Sequence, residues 1–517
     1  MPILSRRSAI ALSAAALAMP SFAKPLRPAR IGQWDTIELS YAGPKAGNPF
    51  QDVTLSAVFE NGDRSQKVAG FYDGNGTYRI RFMPDRPGAW RYRTSANAHE
   101  LDGKTGSITV AATGVHGPVK VANTYHFAYA DGTPYRPFGT TSYAWTHQSD
   151  AAIEQTLKTL AVSPFNKLRF AVFPNGDTAG VPLYPFEGTP HEWDYSRFNP
   201  AFFHRLEYCL GRLRTLGIEA DIILFHPYDG GKWGFNAMPA EVDARYVAYL
   251  AARLSAYRNV WWSLANEYDD IKAKTDADFD RLFQVVQAND PYDHLRSIHH
   301  NHVLYDNAKP WVTHASLQNG SAVEDDARAV LYRDVWRKPV VFDEVKYEGN
   351  IAKRWGNLSG QEMVRRIWEG TIAGTYVGHG ESIEDRDHRM FLGEGGLLRG
   401  ESPARIGFLK KILDDGPTAI EPIDKWQERH LGGQPGQYYL RYFGTEAPTE
   451  WNFVLPKQGV SAGQTYAVDV IDTWAMTVTP LPGTFTMAKL DDYSFKADRA
   501  VPLPAKPYLA LRIRRVA

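Results

Sequence analysis

The chain has 517 residues, with 58 Lys and Arg against 58 Asp and Glu, one cysteine, 44 % hydrophobic and 13 % aromatic residues. At ~100–200 residues per domain this length implies two to four domains, and an α/β barrel takes about 250 residues by itself. A formal net charge of zero gives no global electrostatic reason to bind nucleic acid or an anionic membrane, and the lone Cys209 excludes an intramolecular disulfide, a CxxC redox motif and a cysteine-rich zinc site.

Arg6 and Arg7 precede an apolar run from Ala9 to Ala18, and small residues follow up to Ala23. This pattern reads as a cleaved export signal over residues 1–23, with the paired arginines pointing to twin-arginine export. The expected location is periplasmic or secreted. The run is too short to span a bilayer, and with no other apolar stretch of about 18 residues a membrane anchor is not expected.

From 24 to 115, alternating runs such as Thr36–Leu39, Val53–Phe59 and Tyr78–Phe82 are separated by turn signals at Asn61-Gly62, Asp73–Gly76 and Pro84–Gly88. They predict an immunoglobulin-like β-sandwich. Gly74-Asn75-Gly76 lacks the third glycine and the following helix of a phosphate loop, and reads as a hairpin turn.

From 116 to 420 the texture changes. Apolar strand candidates at Tyr135–Thr141, Asn166–Phe173, Ile218–Phe225, Asn259–Ala265, His294–His299, Trp311–Ser316, Pro339–Asp343 and Ala373–His379 alternate with helical patterns. Phe203, Leu206, Leu210 and Leu213 repeat at the helical period, as do Val247, Leu250 and Leu254. Eight such units predict a (β/α)8 TIM barrel. From 421 to 517 alternation returns in Tyr438–Phe443, Tyr466–Ile471 and Tyr508–Ile513, predicting a second β-sandwich.

In such a barrel the chemistry gathers at the C-terminal ends of the strands. The fourth strand runs into Asn266-Glu267 and the seventh into Asp343-Glu344. A lone glutamate there would cap the next helix. Two, facing each other across the mouth, are the pair that glycosidic cleavage needs: one attacks the anomeric carbon while the other protonates the leaving oxygen. Arg169 and Tyr347 are candidates to hold the nucleophile or, for Arg169, to form an ion pair inside the barrel. His226, His299–His302, His314 and His379 form a histidine-rich set. Their spacing matches no zinc motif, so neutral imidazoles binding sugar hydroxyls are expected, with no catalytic metal and no cofactor. Asp276, Asp278 and Asp280 imitate a calcium loop but carry Arg281 where glycine is required, and read as a helix face. Trp145, Trp193 and Trp233 are candidate stacking surfaces. Cys209 lies on an apolar helix face, and no Gly-x-Ser-x-Gly elbow is present.

The Asn-Glu pair after strand four and the glutamate after strand seven resemble clan A, the retaining (β/α)8 glycoside hydrolases. Trp-Ser-Leu-Ala-Asn-Glu-Tyr-Asp at 262–269, Phe-His-Pro-Tyr-Asp at 225–229 and Asp-Glu-Val-Lys-Tyr-Glu-Gly-Asn at 343–350 resemble apiosidase-like bacterial hydrolases, which carry similar flanking β-domains. The resemblance implies Glu267 as acid/base, Glu344 as nucleophile and Asn266 as a ligand of the sugar 2-hydroxyl. The implied partner is an oligosaccharide or polysaccharide, and a homo-oligomer is left open. Loops 174–199 and 226–240 are expected to narrow the mouth for exo action. A transglycosylase and a non-catalytic carbohydrate-binding protein remain the alternatives.

Overall fold

The computed structural model describes residues 31–178, 183–318, 326–423 and 430–516. The export signal expected over 1–23 lies outside them. Among the described residues no helix is long and apolar enough to cross a membrane.

The N-terminal region is a seven-stranded sheet folded over on itself. The strand Arg64–Tyr72 pairs with Leu55–Asn61 along its first part and with Thr77–Phe82 from Gly70 onward. A Cβ at Gly70 would lie 2.7 Å from the Leu55 side chain, so the bend needs a glycine. Between the two layers Phe59 stacks on Phe82 at 3.9 Å, and Trp90 closes the core. The C-terminal region is a nine-stranded sheet, whose longest pairing joins Thr465–Asp472 to Leu509–Arg515.

The barrel strands are Gly139–Thr141, Lys167–Ala171, Glu219–Phe225, Val260–Ala265, Arg296–Ser297, Ala315–Gln318, Val340–Glu344 and Tyr376–Val377. They are hydrogen-bonded as a five-stranded and a three-stranded parallel sheet, and the bridges His299↔Ser316 and Thr140↔His379 close both seams. The (β/α)8 barrel read from the sequence is therefore the fold. Helix Pro200–Thr215 buries Phe203, Leu206, Cys209, Leu210 and Leu213, and helix Ala240–Leu254 buries Val247, Leu250 and Leu254. Burial pushes the Cys209 thiol up to about 12, which makes it a core residue. Thr275 caps helix Asp276–Asn289 reciprocally with Asp278, so the acidic run is the first turn of a helix.

Two strands, the first and the sixth, start four residues later than expected. Tyr135 belongs to a small antiparallel sheet (Val119–Ala122, His126–Tyr129, Pro134–Tyr135), and the first barrel strand begins only at Gly139. Pro137, which has no N–H to give a ladder, separates the two. That small sheet plugs the barrel floor: the Phe127 ring lies 5.2 Å from Trp261, 5.6 Å from His314 and 5.3 Å from Tyr376. The sixth strand starts at Ala315, because Trp311 and Thr313 bond Arg296 while crossing the floor.

The N-terminal sheet is keyed to the barrel helices through buried charge. Arg81 reaches Glu207, and Arg253 bonds Glu207 at 2.5 Å and Asp73 at 2.8 Å. The Arg253 guanidinium also lies 4.5 Å over the Phe71 ring. Burial favours the neutral acids, yet the arginines outweigh it and hold Asp73 and Glu207 below their usual range. Arg253→Met leaves two buried carboxylates with one cation fewer. It is expected to cost about 3 kcal/mol, near the low end for a broken buried pair because Arg79 and Arg81 remain. A drop in the urea midpoint checks this; an unchanged midpoint contradicts it.

Candidate active site

Strand four ends at Ala265, and Asn266 still donates its N–H to the Phe225 carbonyl at 2.9 Å. Glu267 then turns into the left-handed region with φ 43° before the short helix Tyr268–Asp270. A non-glycine residue there costs about 1–3 kcal/mol and marks a position that the surroundings over-determine. Glu344 is the last residue of strand seven and pairs with Gln318 just after a register shift between Leu317 and Gln318.

Arg169, on strand two, ties the two positions together. Its Nη1 donates to Glu344 Oε1 at 3.0 Å and to the Tyr143 hydroxyl at 3.3 Å, while its Nη2 donates to Asn266 Oδ1. Tyr143 donates its hydroxyl to the same Glu344 oxygen, and the Tyr347 hydroxyl lies 3.3 Å from that of Tyr143. On the other side Asn266 Nδ2 donates to the Tyr228 hydroxyl at 2.5 Å, and both Tyr228 and Gln318 face the Glu267 carboxyl. His299 lies between, with Nδ1 3.0 Å from Ser316 Oγ and Nε2 3.2 Å from Gln318 Oε1 and 3.4 Å from Glu344 Oε1. Beneath Arg169, Lys167 bridges Asp221 at 2.6 Å and Asp343 at 2.7 Å.

The two glutamates sit in opposite electrostatic settings. Burial, then the negative charge of Glu344, pushes Glu267 up to about 7, against smaller opposing bonds from Tyr228 and Gln318. Glu344 has a guanidinium and a phenol donating to one oxygen. Burial holds His299 neutral, with its proton affinity well below the ordinary value, and keeps His300 down to about 4. The arrangement thus offers one fixed carboxylate and one carboxyl poised near neutrality, across a mouth lined by neutral donors.

A family model described as "Apiosidase-like, catalytic domain" matches residues 121–380, spanning both glutamates. The chain belongs to the apiosidase-like family. Two domains of unknown function, DUF5060 and DUF5605, match residues 30–97 and 426–514. A Bacteroides vulgatus ATCC 8482 protein classed as a glycoside hydrolase is similar over 94% of this chain and 99% of its own, at 43% identity and a TM-score of 0.91. A family 5 glycoside hydrolase of the same organism shares the fold, at 13% identity and a TM-score of 0.58 over 77% of this chain and 93% of its own. None of the curated proteins matches. This apiosidase-like chain is a glycosidase.

Among the residues expected at the site of this apiosidase-like glycosidase, the structure brings together Glu267, Glu344, Asn266, Arg169, Tyr347 and His299. It does not bring in the others. Trp145 is fully buried edge-on to Phe170 in the helix-facing core, and Trp233 is buried under its loop. His314 lies on the barrel floor, 5.3 Å from the Trp261 ring, and His379 turns outward to stack on Phe165 at 4.7 Å. For Trp145, His314 and His379 the reason is common: aromatic neighbours distant in sequence, Phe170, Trp261 with Phe127, and Phe165, hold the side chain away from the mouth. His226 acts through another residue, since its Nδ1 accepts the Tyr228 N–H at 3.2 Å and its Nε2 meets the Phe173 carbonyl at 3.2 Å. Sequence reading missed Tyr143 and Gln318. Tyr143 follows strand one by two residues, which was the available signal; Gln318 became visible only once strand six extended past Ser316.

Tyr143→Phe removes one charge-assisted donor from Glu344 and keeps the ring. On any aryl glycoside the protein cleaves, kcat/KM is expected to fall about a hundredfold, the scale of losing one preorganised donor. The unfolding temperature should stay within a few degrees of the parent; a change under about threefold in kcat/KM would remove Tyr143 from the site.

Proposed function

We propose that this glycosidase retains anomeric configuration, with Glu344 as nucleophile and Glu267 as acid/base. The observation that carries the reading is the asymmetry of the pair. Glu344 is tied as an acceptor by Arg169 and Tyr143, while Glu267 is pushed to about 7. In the first step a Glu344 oxygen bonds the anomeric carbon as the bond to the leaving oxygen breaks, and the Glu267 proton goes to that oxygen. The resulting ester has lost the Glu344 charge, so Glu267 becomes the stronger acid and holds its carboxylate. It then takes a proton from water as the water oxygen bonds the anomeric carbon and Glu344 leaves. Asn266 has its Oδ1 occupied by Arg169 and one Nδ2 proton by Tyr228, which leaves the second for a sugar hydroxyl.

The substrate is a neutral glycan entered from its end. The observation in support is that two long loops are locked into one wall: Trp193 stacks on Phe235 at 5.2 Å and donates its indole N–H to the Trp233 carbonyl at 2.7 Å. Asp229 fixes the second loop by accepting the N–H groups of Trp233 and Phe235, both at 2.9 Å.

Because Glu267 must carry its proton, kcat/KM is expected to decline with unit slope above about pH 7. Glu267→Ala should abolish that limb on an activated aryl glycoside and be rescued by azide as a glycosyl azide, whereas Glu344→Gln should lose at least about four orders of magnitude. Near-parental turnover of Glu344→Gln would refute the roles. A proton NMR time course on an oligosaccharide ladder should show the substrate's own anomer appearing first and only the terminal unit released. First appearance of the opposite anomer would rule out retention, and internal fragments would rule out exo action.

A further inference from the structure

Behind the catalytic mouth, two short strands, Glu348–Gly349 and Glu381–Ser382, run parallel with Glu348 directly opposite Glu381. His379 precedes Glu381 by two residues and so shares its side of the chain. All three side chains are buried, and one donor atom from each lies within 4.8 Å of the other two. We propose that Glu348, His379 and Glu381 bind one divalent first-row transition-metal ion that braces the back of the barrel.

The imidazole supplies the observation that two acids alone would not. His379 Nδ1 is engaged with Thr140 Oγ1 at 2.9 Å, while Nε2 has no protein partner although the residue is wholly inaccessible. Leaving a buried polar nitrogen unpaired costs ~1–3 kcal/mol. Fixing one ring nitrogen with a hydrogen bond and presenting the other is how proteins orient a histidine ligand. The carboxylates are oriented as well. Glu348 accepts the N–H groups of Glu401 at 2.7 Å and Ser402 at 3.1 Å and the Ser402 hydroxyl at 2.5 Å; Glu381 accepts those of Arg399 at 2.6 Å and Gly400 at 2.8 Å. A carboxylate offers about four lone-pair sites, so both retain free ones. The backbone comes this close because residue 400 is glycine: a Cβ there would lie 2.4 Å from Glu348 Oε2 and 2.8 Å from Glu381 Oε2.

Charge points the same way. Two adjacent buried acids beside an imidazole receive N–H dipoles, which place them without balancing the two negative charges they carry when ionised, and burial pushes Glu381 up to about 7. A divalent ion cancels both charges. Two carboxylate oxygens and one imidazole nitrogen suit zinc or manganese, whereas magnesium and calcium prefer all-oxygen sets. Such an ion would join the segment after strand seven, the end of strand eight and the start of helix Ser402–Asp414, directly behind Tyr347. The role is structural and independent of the double-displacement reading.

The test uses the full chain without a polyhistidine tag. Elemental analysis should find a single zinc or manganese ion per chain, and EDTA treatment should lower the unfolding temperature by several degrees. Zinc or manganese should restore it and magnesium should not. Glu381→Gln keeps the side-chain length and an acceptor for one of the two N–H groups, Arg399 or Gly400, but loses the second acceptor and the charge. It is expected to weaken zinc binding at least about a hundredfold and to make the unfolding temperature indifferent to chelator. His379→Gln serves as the second variant if Glu381→Gln does not fold. A parent protein that carries no ion and whose unfolding temperature ignores zinc and manganese overturns the proposal. So does a Glu381→Gln protein that binds zinc as tightly as the parent. A metal-free parent that Glu381→Gln stabilises would show that the two acids share a proton.

Discussion

The catalytic geometry depends on one guanidinium. The barrel's two largest apolar clusters divide it into halves, and two small ones, around Phe127 on the floor and around Tyr143 at the mouth, cross between them. The first large cluster takes strands two to five and the helices beside them; the second takes strands one and six to eight with the C-terminal helices. Glu267 belongs to the first half and Glu344 to the second. The backbone ladder at the seams between the halves thins to single bridges. Polar side chains add to the small apolar contact across the mouth, and Arg169 does so by donating at once to Asn266 beside Glu267 and to Glu344 itself. Lys167 repeats the crossing one layer lower, from strand two to Asp343 on strand seven. Burying such cations costs several kcal/mol each, which only full pairing offsets. Arginine suits the upper layer because its rigid fork reaches two acceptors in a fixed plane, which a lysine ammonium does not.

The same guanidinium sets the surroundings of both glutamates. Arg169 and Tyr143 both donate to one oxygen of the Glu344 carboxylate. The charge of that carboxylate, added to burial, raises Glu267. On the roles proposed, that charge helps the acid/base keep its proton. Glu267 therefore responds to what happens at Glu344, a coupling that needs no moving part. His299 takes part as a neutral bridge: held below its ordinary affinity by burial and by Arg169, it does not compete for the proton.

How much of this was legible in the sequence follows from what sets each feature. The eight strands and their helices showed because fully apolar runs of four to seven residues between 3.6-periodic segments have few other solutions. Glu267 and Glu344 showed because strand ends are where a polar residue in an apolar context stands out. Trp145, Trp233, His314 and His379 were misplaced for the complementary reason. Which face of a strand or loop a bulky residue takes depends on neighbours distant in sequence, such as Phe165 for His379 and Phe127 for His314. Tyr143 and Gln318 required the register of strands one and six, and a shift by two residues moves such a side chain into or out of the mouth. Glu348, His379 and Glu381 converge from positions with no motif spacing at all.

The flanking domains acquire a reason from the division of the barrel. The N-terminal sheet grips helices Pro200–Thr215 and Ala240–Leu254 through Arg81, Glu207, Arg253 and Asp73, all on the half that carries Glu267. The C-terminal sheet grips helices Gly360–Ile372 and Ser402–Asp414, where Trp368 stacks on Tyr442 at 5.4 Å and Arg405 lies 4.0 Å over Trp474, on the half that carries Glu344. Each domain thus stiffens one half-barrel from outside while Arg169 and Lys167 join the halves from within. A chain with one cysteine has no covalent staple for this purpose. It relies on apolar area at both interfaces and on the fully buried paired charge at the N-terminal one. The paired charge is the more directional of the two, and it sits on the side whose glutamate must be held in a left-handed turn.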